Sequence, residues 1–173
     1  VKPRFGAGSI NTMGVRTKRL LEALMEEAET ELVVQPRMSG NEYGVDVYVD
    51  TISGEVVAWF CKEKLRMRAG ETEKSRSVKN DQIKDLVFKA VSFLQLRGPL
   101  DVDVMEQDGE YFILEINPRF GGGYPHAYEC GVSFPKCIAC NARKESNPVC
   151  LDAYQEDTVA MKFSDIIVRE TDD

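Results

Sequence analysis

Pro99-Leu-Asp-Val-Asp-Val-Met-Glu-Gln-Asp-Gly-Glu-Tyr-Phe-Ile-Leu-Glu-Ile-Asn-Pro-Arg-Phe-Gly-Gly-Gly-Tyr-Pro-His126 is the stretch whose reading decides the fold. It reads as a β-hairpin. Val102 and Val104 alternate on one arm, Phe112, Leu114 and Ile116 on the other, and Asp108-Gly109 turns the chain. The apolar positions are even-numbered on both arms, so they share a face only if the loop holds an odd number of residues. A three-residue loop with Gly109 in the left-handed region meets that condition. This register gathers Asp101, Asp103, Glu115 and Asn117 on the opposite face. Paired strand positions lie roughly 5 Å apart and diagonals roughly 7 Å, so one cation can touch Asp103, Glu115 and Asn117. Oxygen ligands, two of them anionic, suit Mg²⁺ or Mn²⁺ held together with substrate phosphates. Strands disfavour Asp, and this one runs through Asn117-Pro118-Arg119 into Gly121–Gly123. The acidic face is therefore read as a site rather than as a solvated strand.

With 173 residues, the chain suits one folding unit able to bury a proper core. Composition is that of an ordinary soluble protein, at 43% apolar and 29% charged residues. The net charge of −7 speaks against a nucleic-acid partner, since no basic face offsets it. No apolar run is long enough to span a bilayer and no signal-peptide pattern opens the chain, so neither a membrane nor export is expected, and the cytoplasm is. Five cysteines make an odd count that fits reduced thiols. Cys137-x-x-Cys140 invites zinc, but no second ligand pair stands at zinc spacing and His126 is the only histidine. A homo-oligomer is compatible with all of this.

Residues 1–14 read as a strand end entering a glycine-rich loop, Gly6-Ala-Gly8-Ser9. A helix follows, with Leu21, Leu24, Met25 and Ala28 at helical spacing. Glycines let backbone N–H groups crowd around phosphate oxygens, and Lys2 supplies a point charge beside them. Thr30–Gln35 is a short strand and 36–41 a connector. Glu42–Asp50 alternates with Tyr43, Val45, Val47 and Val49 on one face, and Thr51–Gly54 turns into a strand through Val56, Ala58 and Phe60. That strand ends in a basic run, Lys62 to Arg68, which reads equally as a solvated strand end or as a place where Lys64, Arg66 or Arg68 faces an anion. Residues 69–80 are expected to be a mobile loop, a candidate lid. Residues 81–95 form an amphipathic helix capped by Asp81, with Ile83, Leu86, Val87, Ala90 and Leu94 as its stripe. After the hairpin come helices over 124–130 and 135–142, a polar loop over 143–148, and a last strand over 158–168.

These residues resemble a known family. Lys2-Pro with the Gly-Ala-Gly-Ser loop, Gln35-x4-Gly40-x-Glu42, Asp103 and Glu115-Ile-Asn-Pro-Arg119 look like the ATP-grasp superfamily, nearest its carbamoyl-phosphate-synthase-like and amino-acid-ligase branches. The resemblance implies an α+β fold, mainly an antiparallel sheet flanked by helices. It implies a ligase that uses ATP and Mg²⁺ to turn a small carboxylate into an acyl phosphate, which an amine or similar nucleophile then attacks. Lys2 matches the lysine holding ATP phosphates, and Gly6, Gly8 and Ser9 match the loop closing over them. Gln35, Pro36, Arg37 and Met38 match the hinge that reads adenine, and Glu42 the acid on the ribose. Asp103, Glu115 and Asn117 match the magnesium ligands, and Arg119 the arginine that neutralises the transferring phosphoryl group. Arg66, Arg68 and His126 are the substrate-side candidates.

The match begins partway through the family's pattern. Residues 1–35 correspond to a remnant of the small lobe, with its phosphate strand, glycine loop and helix, and 36–173 to the large lobe. The expectation is therefore a fragment whose N-terminal domain lies elsewhere and which is inactive by itself. Competing readings are a carbamoyl-phosphate-synthase large-subunit homologue, a non-catalytic nucleotide-binding module on a degenerate scaffold, and a metal-binding α+β domain without nucleotide.

Overall fold

Valine- and aromatic-rich runs with turn residues between them build an antiparallel sheet. The computed structural model describes residues 1–6, 10–68, 70–163 and 166–168. The expected phosphate-loop residues Gly8 and Ser9 lie outside them. The chain divides into two compact units, Val1–Ser39 and Gly40–Asp173.

In the first unit, β1 (Lys2–Pro3) pairs antiparallel with β2 (Leu32–Val33). Between them lies α1 (Lys18–Glu26), whose first turn is capped by Thr17, its hydroxyl accepting from the Leu20 N–H. Leu21 and Leu24 are half-buried, but Met25 is exposed, so the expected stripe is only partly used.

The second unit holds β3 (Glu42–Val49), β4 (Val56–Arg68), β5 (Glu71–Ser77), α2 (Asp81–Phe93), β6 (Gly98–Gln107), β7 (Glu110–Asn117), α3 (Tyr124–Glu129), α4 (Phe134–Ala142) and β8 (Val159–Met161). The strands form one antiparallel sheet in the order β7-β6-β3-β4-β5-β8. Successive side chains leave opposite faces. Trp59 meets Phe88 of α2 on one face, while Tyr48 and Phe60 meet Phe134 of α4 and His126 of α3 on the other. The central strands are thus buried on both faces, and Asp46 and Tyr48 are as hidden as Val45 and Val47. Alternation alone places only the odd-numbered set inside.

Three expectations change. The hairpin loop holds two residues, not three: Gln107 pairs with Glu110, and Asp108 and Gly109 both have positive φ (55° and 82°), a type I′ turn. The odd residue enters instead as a bulge between Asp103 and Val104, opposite Leu114, and restores the pairs Asp103–Glu115 and Asp101–Asn117. On the turn side of that bulge Tyr111 and Ile113 pack on the core, while Phe112 and Leu114 face outward. Residues 71–77 are a strand rather than a lid. Its inward residues, Thr72, Ser75 and Ser77, are small and polar, so no apolar alternation announces it. The cap of α2 is Asn80, whose Oδ1 accepts from the Ile83 N–H at 3.0 Å; Asp81 is the first helical residue. Among the described residues of the expected last strand, the ladder covers Val159–Met161.

One carboxylate ties α4 and the loop after it to the sheet. Asp50 Oδ1 accepts from the Ile52 and Ser53 N–H groups, and Oδ2 accepts from the Asn147 backbone and from the amides of Asn141 and Asn147. Burial alone would raise its pKa, but the bonds from Asn147, Ser53 and Asn141 outweigh it and hold the carboxyl well below the usual carboxylate range. A depressed carboxyl contributes stability above its unfolded value, near ~3.9, and loses it as pH falls further. Asp50→Ala is expected to cost about 3 kcal/mol by orphaning these donors. Urea midpoints at neutral and acid pH will show the deficit at neutral pH and its narrowing below about pH 4.

Candidate functional site

In the first unit, Lys2, Gln35, Pro36 and Arg37 line a single cavity of about 780 Å³, together with Gly14 and Leu21. Four expected nucleotide contacts are thus gathered around one space, with Arg37 Nη1 3.5 Å from where a Cβ on Gly14 would stand. Gly6 is exposed and Met38 half-buried.

In the second unit, one face of the sheet carries ions. Asp103 and Glu115 occupy one rung of the β6–β7 ladder and Asp101 and Asn117 the next but one. Asn117 Nδ2 donates to Glu115 Oε1 at 2.9 Å. Arg119 Nη1 donates to Asp101 Oδ2 at 3.0 Å and to the Phe120 carbonyl. Lys64 Nζ donates to Glu42 Oε1 at 2.7 Å and to Asp103 Oδ1 at 2.6 Å. Further along the same face, at the rung of Asp101, Asp46 pairs with Lys62, both side chains essentially without solvent exposure. Five expected residues, Glu42, Asp103, Glu115, Asn117 and Arg119, therefore stand on one strip of β3, β6 and β7 and the segment that follows.

Electrostatics follow from burial. Burial drives the Asp46, Asp101 and Asp103 carboxyls above their ordinary range, opposed by Lys62, by Lys62 with Arg119, and by Lys64 respectively. Burial would lower the Lys64 ammonium, but Asp103 and Glu42 overcome it and raise its pKa, so Lys64 stays charged. Carboxylates outnumber the cations here, which leaves the strip with a negative surplus.

Sequence reading missed the Asp46–Lys62 pair and the role of the glycines. A Cβ on Gly123 would stand 2.6 Å from Lys62 Cε, and one on Gly121 would collide with the Asp101 carboxylate. At Gly121 and Gly123 the backbone thus lies directly against the ionic layer, and a side chain at either position would displace Asp101 or Lys62. The available signal was parity: Lys62 and Lys64 are in phase with Phe60, an inward position of β4.

The substrate-side candidates form a separate group. Register shifts flank Arg66 in the β4–β5 ladder, and there Arg66 and Arg68 are exposed and pair with Glu73. Glu73 lines a cavity of about 190 Å³ with His126, Ser75, Gly123 and Lys162. Ser75 Oγ and His126 Nδ1 are 2.8 Å apart. Burial, with Lys62 second, pushes the imidazole down to about 4, so it is neutral near pH 7. In the unfolded chain it charges below about 6.5, so this contribution is complete above that value and is lost as pH falls toward 4. His126→Gln is expected to flatten the stability profile between about pH 4 and 7, read from urea midpoints.

All five cysteines are free, and the described residues hold no cluster of three His, Cys, Asp or Glu side chains arranged for a metal. Among them, no helix is long and apolar enough to cross a membrane.

A six-stranded antiparallel sheet, helices on both faces and an ionic strand end define an α+β domain. The ATP-grasp domain model matches residues 1–123, and the chain belongs to that family. No curated protein matches it in sequence. N5-carboxyaminoimidazole synthetase from Staphylococcus aureus, complexed with ADP, superposes with a TM-score of 0.62 at 16% identity, over 92% of this chain and 43% of that one. The biotin carboxylase domain of Hydrogenobacter thermophilus 2-oxoglutarate carboxylase, with MgADP and bicarbonate, gives 0.56 at 16% identity, over 69% and 28%. L-amino acid ligase from Bacillus licheniformis gives 0.50 at 21%, over 65% and 30%. At these identities the likeness is one of fold, and the chain spans less than half the length of each.

Proposed function

We propose that the chain carries the nucleotide–metal portion of an ATP-dependent ligase that joins a small carboxylate to an amine or similar nucleophile. The observation that carries this reading is the single rung holding Asp103 and Glu115, next to Asn117 and Arg119, in a chain of the ATP-grasp family. Oxygen donors of that kind suit Mg²⁺ or Mn²⁺, and the Lys64 ammonium already stands against Asp103 as a cation would. Magnesium, when bound, supplies Lewis-acid neutralisation of phosphate oxygens.

In this reading the substrate carboxylate oxygen attacks the γ-phosphorus, the bond to the β–γ bridging oxygen breaks, and ADP leaves. The nucleophile then attacks the acyl carbon and phosphate departs with the former carboxylate oxygen. Such transfer needs positioning and charge neutralisation more than covalent help. Asp103, Glu115 and Asn117 hold the metal, Arg119 faces the transferring phosphoryl group, and Glu42 takes the ribose. Lys2 and the loop at Gly6, Gly8 and Ser9 take phosphates, and Gln35 to Met38 read adenine. Arg66, Arg68 and His126 belong to the substrate side. Residues 1–35 are assigned to the small lobe and 36–173 to the large one, with the remaining domain on a longer parent chain.

Calorimetry of Mg-ATP on the parent and on this chain, each beside Glu115→Ala, tests the reading. Metal-dependent binding by the parent that Glu115→Ala abolishes is the expected result. No binding by an intact parent would sink the ligase reading and leave a degenerate scaffold as the better account.

A further inference from the structure

Lys64 is the one buried cation of the strip that bridges two strands. It starts on β4, and its ammonium reaches Glu42 on β3 and Asp103 on β6, with only 6% of the side chain exposed. Adjacent strands are roughly 4.8 Å apart, so reaching β6 means crossing β3 completely. It crosses beside Gly44, the β3 partner of Asp103. A Cβ there would stand 3.3 Å from Lys64 Cε and 3.2 Å from Lys62 Cε. Both distances are tight, so a side chain at this position would press on the two lysine stems.

Asp103 is thereby held by an ammonium, Glu115 is held by Asn117, and the described residues present no assembled three-acid metal cluster. We propose that Lys64 is a built-in counter-cation that a divalent metal displaces from Asp103, so that the metal and Lys64 compete for one carboxylate. The inference rests on the metal reading of Asp103, Glu115 and Asn117 above. Its consequence is that Lys64 keeps the strip compact and paired in the absence of metal, and is left with Glu42 alone, and so less firmly held, when the metal enters.

The test uses Mn²⁺ alone, titrated into the full chain and followed by electron paramagnetic resonance of the free ion. Lys64→Met keeps the stem and removes the charge, and it is expected to tighten Mn²⁺ on the order of tenfold, the scale of deleting an adjacent like charge. Lys64→Arg, which keeps the charge, is expected not to tighten it. A second readout needs no variant. Acylation of Lys64 by acetic anhydride, mapped by mass spectrometry, is expected to be slow without metal and to rise several-fold with saturating Mn²⁺, while the other lysines are unchanged. Unaltered Mn²⁺ affinity in Lys64→Met, or unaltered Lys64 labelling on adding metal, overturns the displacement. If Lys64→Met does not fold, the labelling result decides. Glu115→Gln separates the two failures. If it abolishes Mn²⁺ binding while Lys64 shows neither effect, only the displacement falls. If Mn²⁺ does not bind, or binds as well without Glu115, the metal reading falls and the displacement with it.

Discussion

Lys62→Met is expected to lower the unfolding free energy by about 3–5 kcal/mol, the largest single-site loss of stability predicted for this protein. Lys62 and Asp46 are paired with essentially no solvent exposure, and one Asp46 oxygen, Oδ1, has no hydrogen-bond partner. Removing the ammonium strands a carboxylate that water cannot reach, which is why breaking a buried pair costs more than the pair is worth. Replacing both residues, as Asp46→Leu with Lys62→Met, is expected to recover most of the loss, because desolvation of two ions offsets much of their attraction. Chemical denaturation of both singles and the double measures the coupling directly. A double variant as weak as Lys62→Met alone would mean that the glycine segment above, and not the pairing, sets the cost.

The second large effect is on turnover. Under the proposed ligase function, Arg119→Ala is expected to lower kcat by about 10²–10³, by analogy with loss of one preorganised donor to a developing negative charge. Arg119 is tethered to Asp101 and to the Phe120 carbonyl, so the guanidinium is already oriented, yet more than half of its side chain remains exposed. In its proposed role the guanidinium acts on charge that develops during transfer, so KM for ATP is expected to change far less than kcat. A rise in KM with kcat unchanged would assign Arg119 to ground-state binding instead. Lysine at 119 should rescue little, since an ammonium cannot reproduce the planar fork.

Much of this was legible along the chain. The period-two alternation of β3, β4 and β6, the helical spacing of Ile83 and Val87, and the turn at Asp108-Gly109 are local signals. The pairing of Asp103 with Glu115 was also legible, because parity demanded one extra residue between the arms. Parity could not say where that residue goes. A bulge and a three-residue loop satisfy it equally, and they differ in whether Tyr111 and Ile113 or Phe112 and Leu114 face the core.

Strand β5 was illegible for a related reason: its inward positions are Thr72, Ser75 and Ser77, whose burial depends on partners such as His126 and the Gln155 carbonyl. The sequence by itself determined the α+β class, the family pattern and the acidic strip on the hairpin, because each is written in neighbouring residues and short periods. Only the tertiary structure decided that Lys64 crosses Gly44 to reach Asp103, that Lys62 is sealed under Gly123, and that Arg66 and Arg68 turn to Glu73. Those outcomes depend on which strands become neighbours and where the β4–β5 ladder slips, and a charge finds its partner through space rather than along the chain.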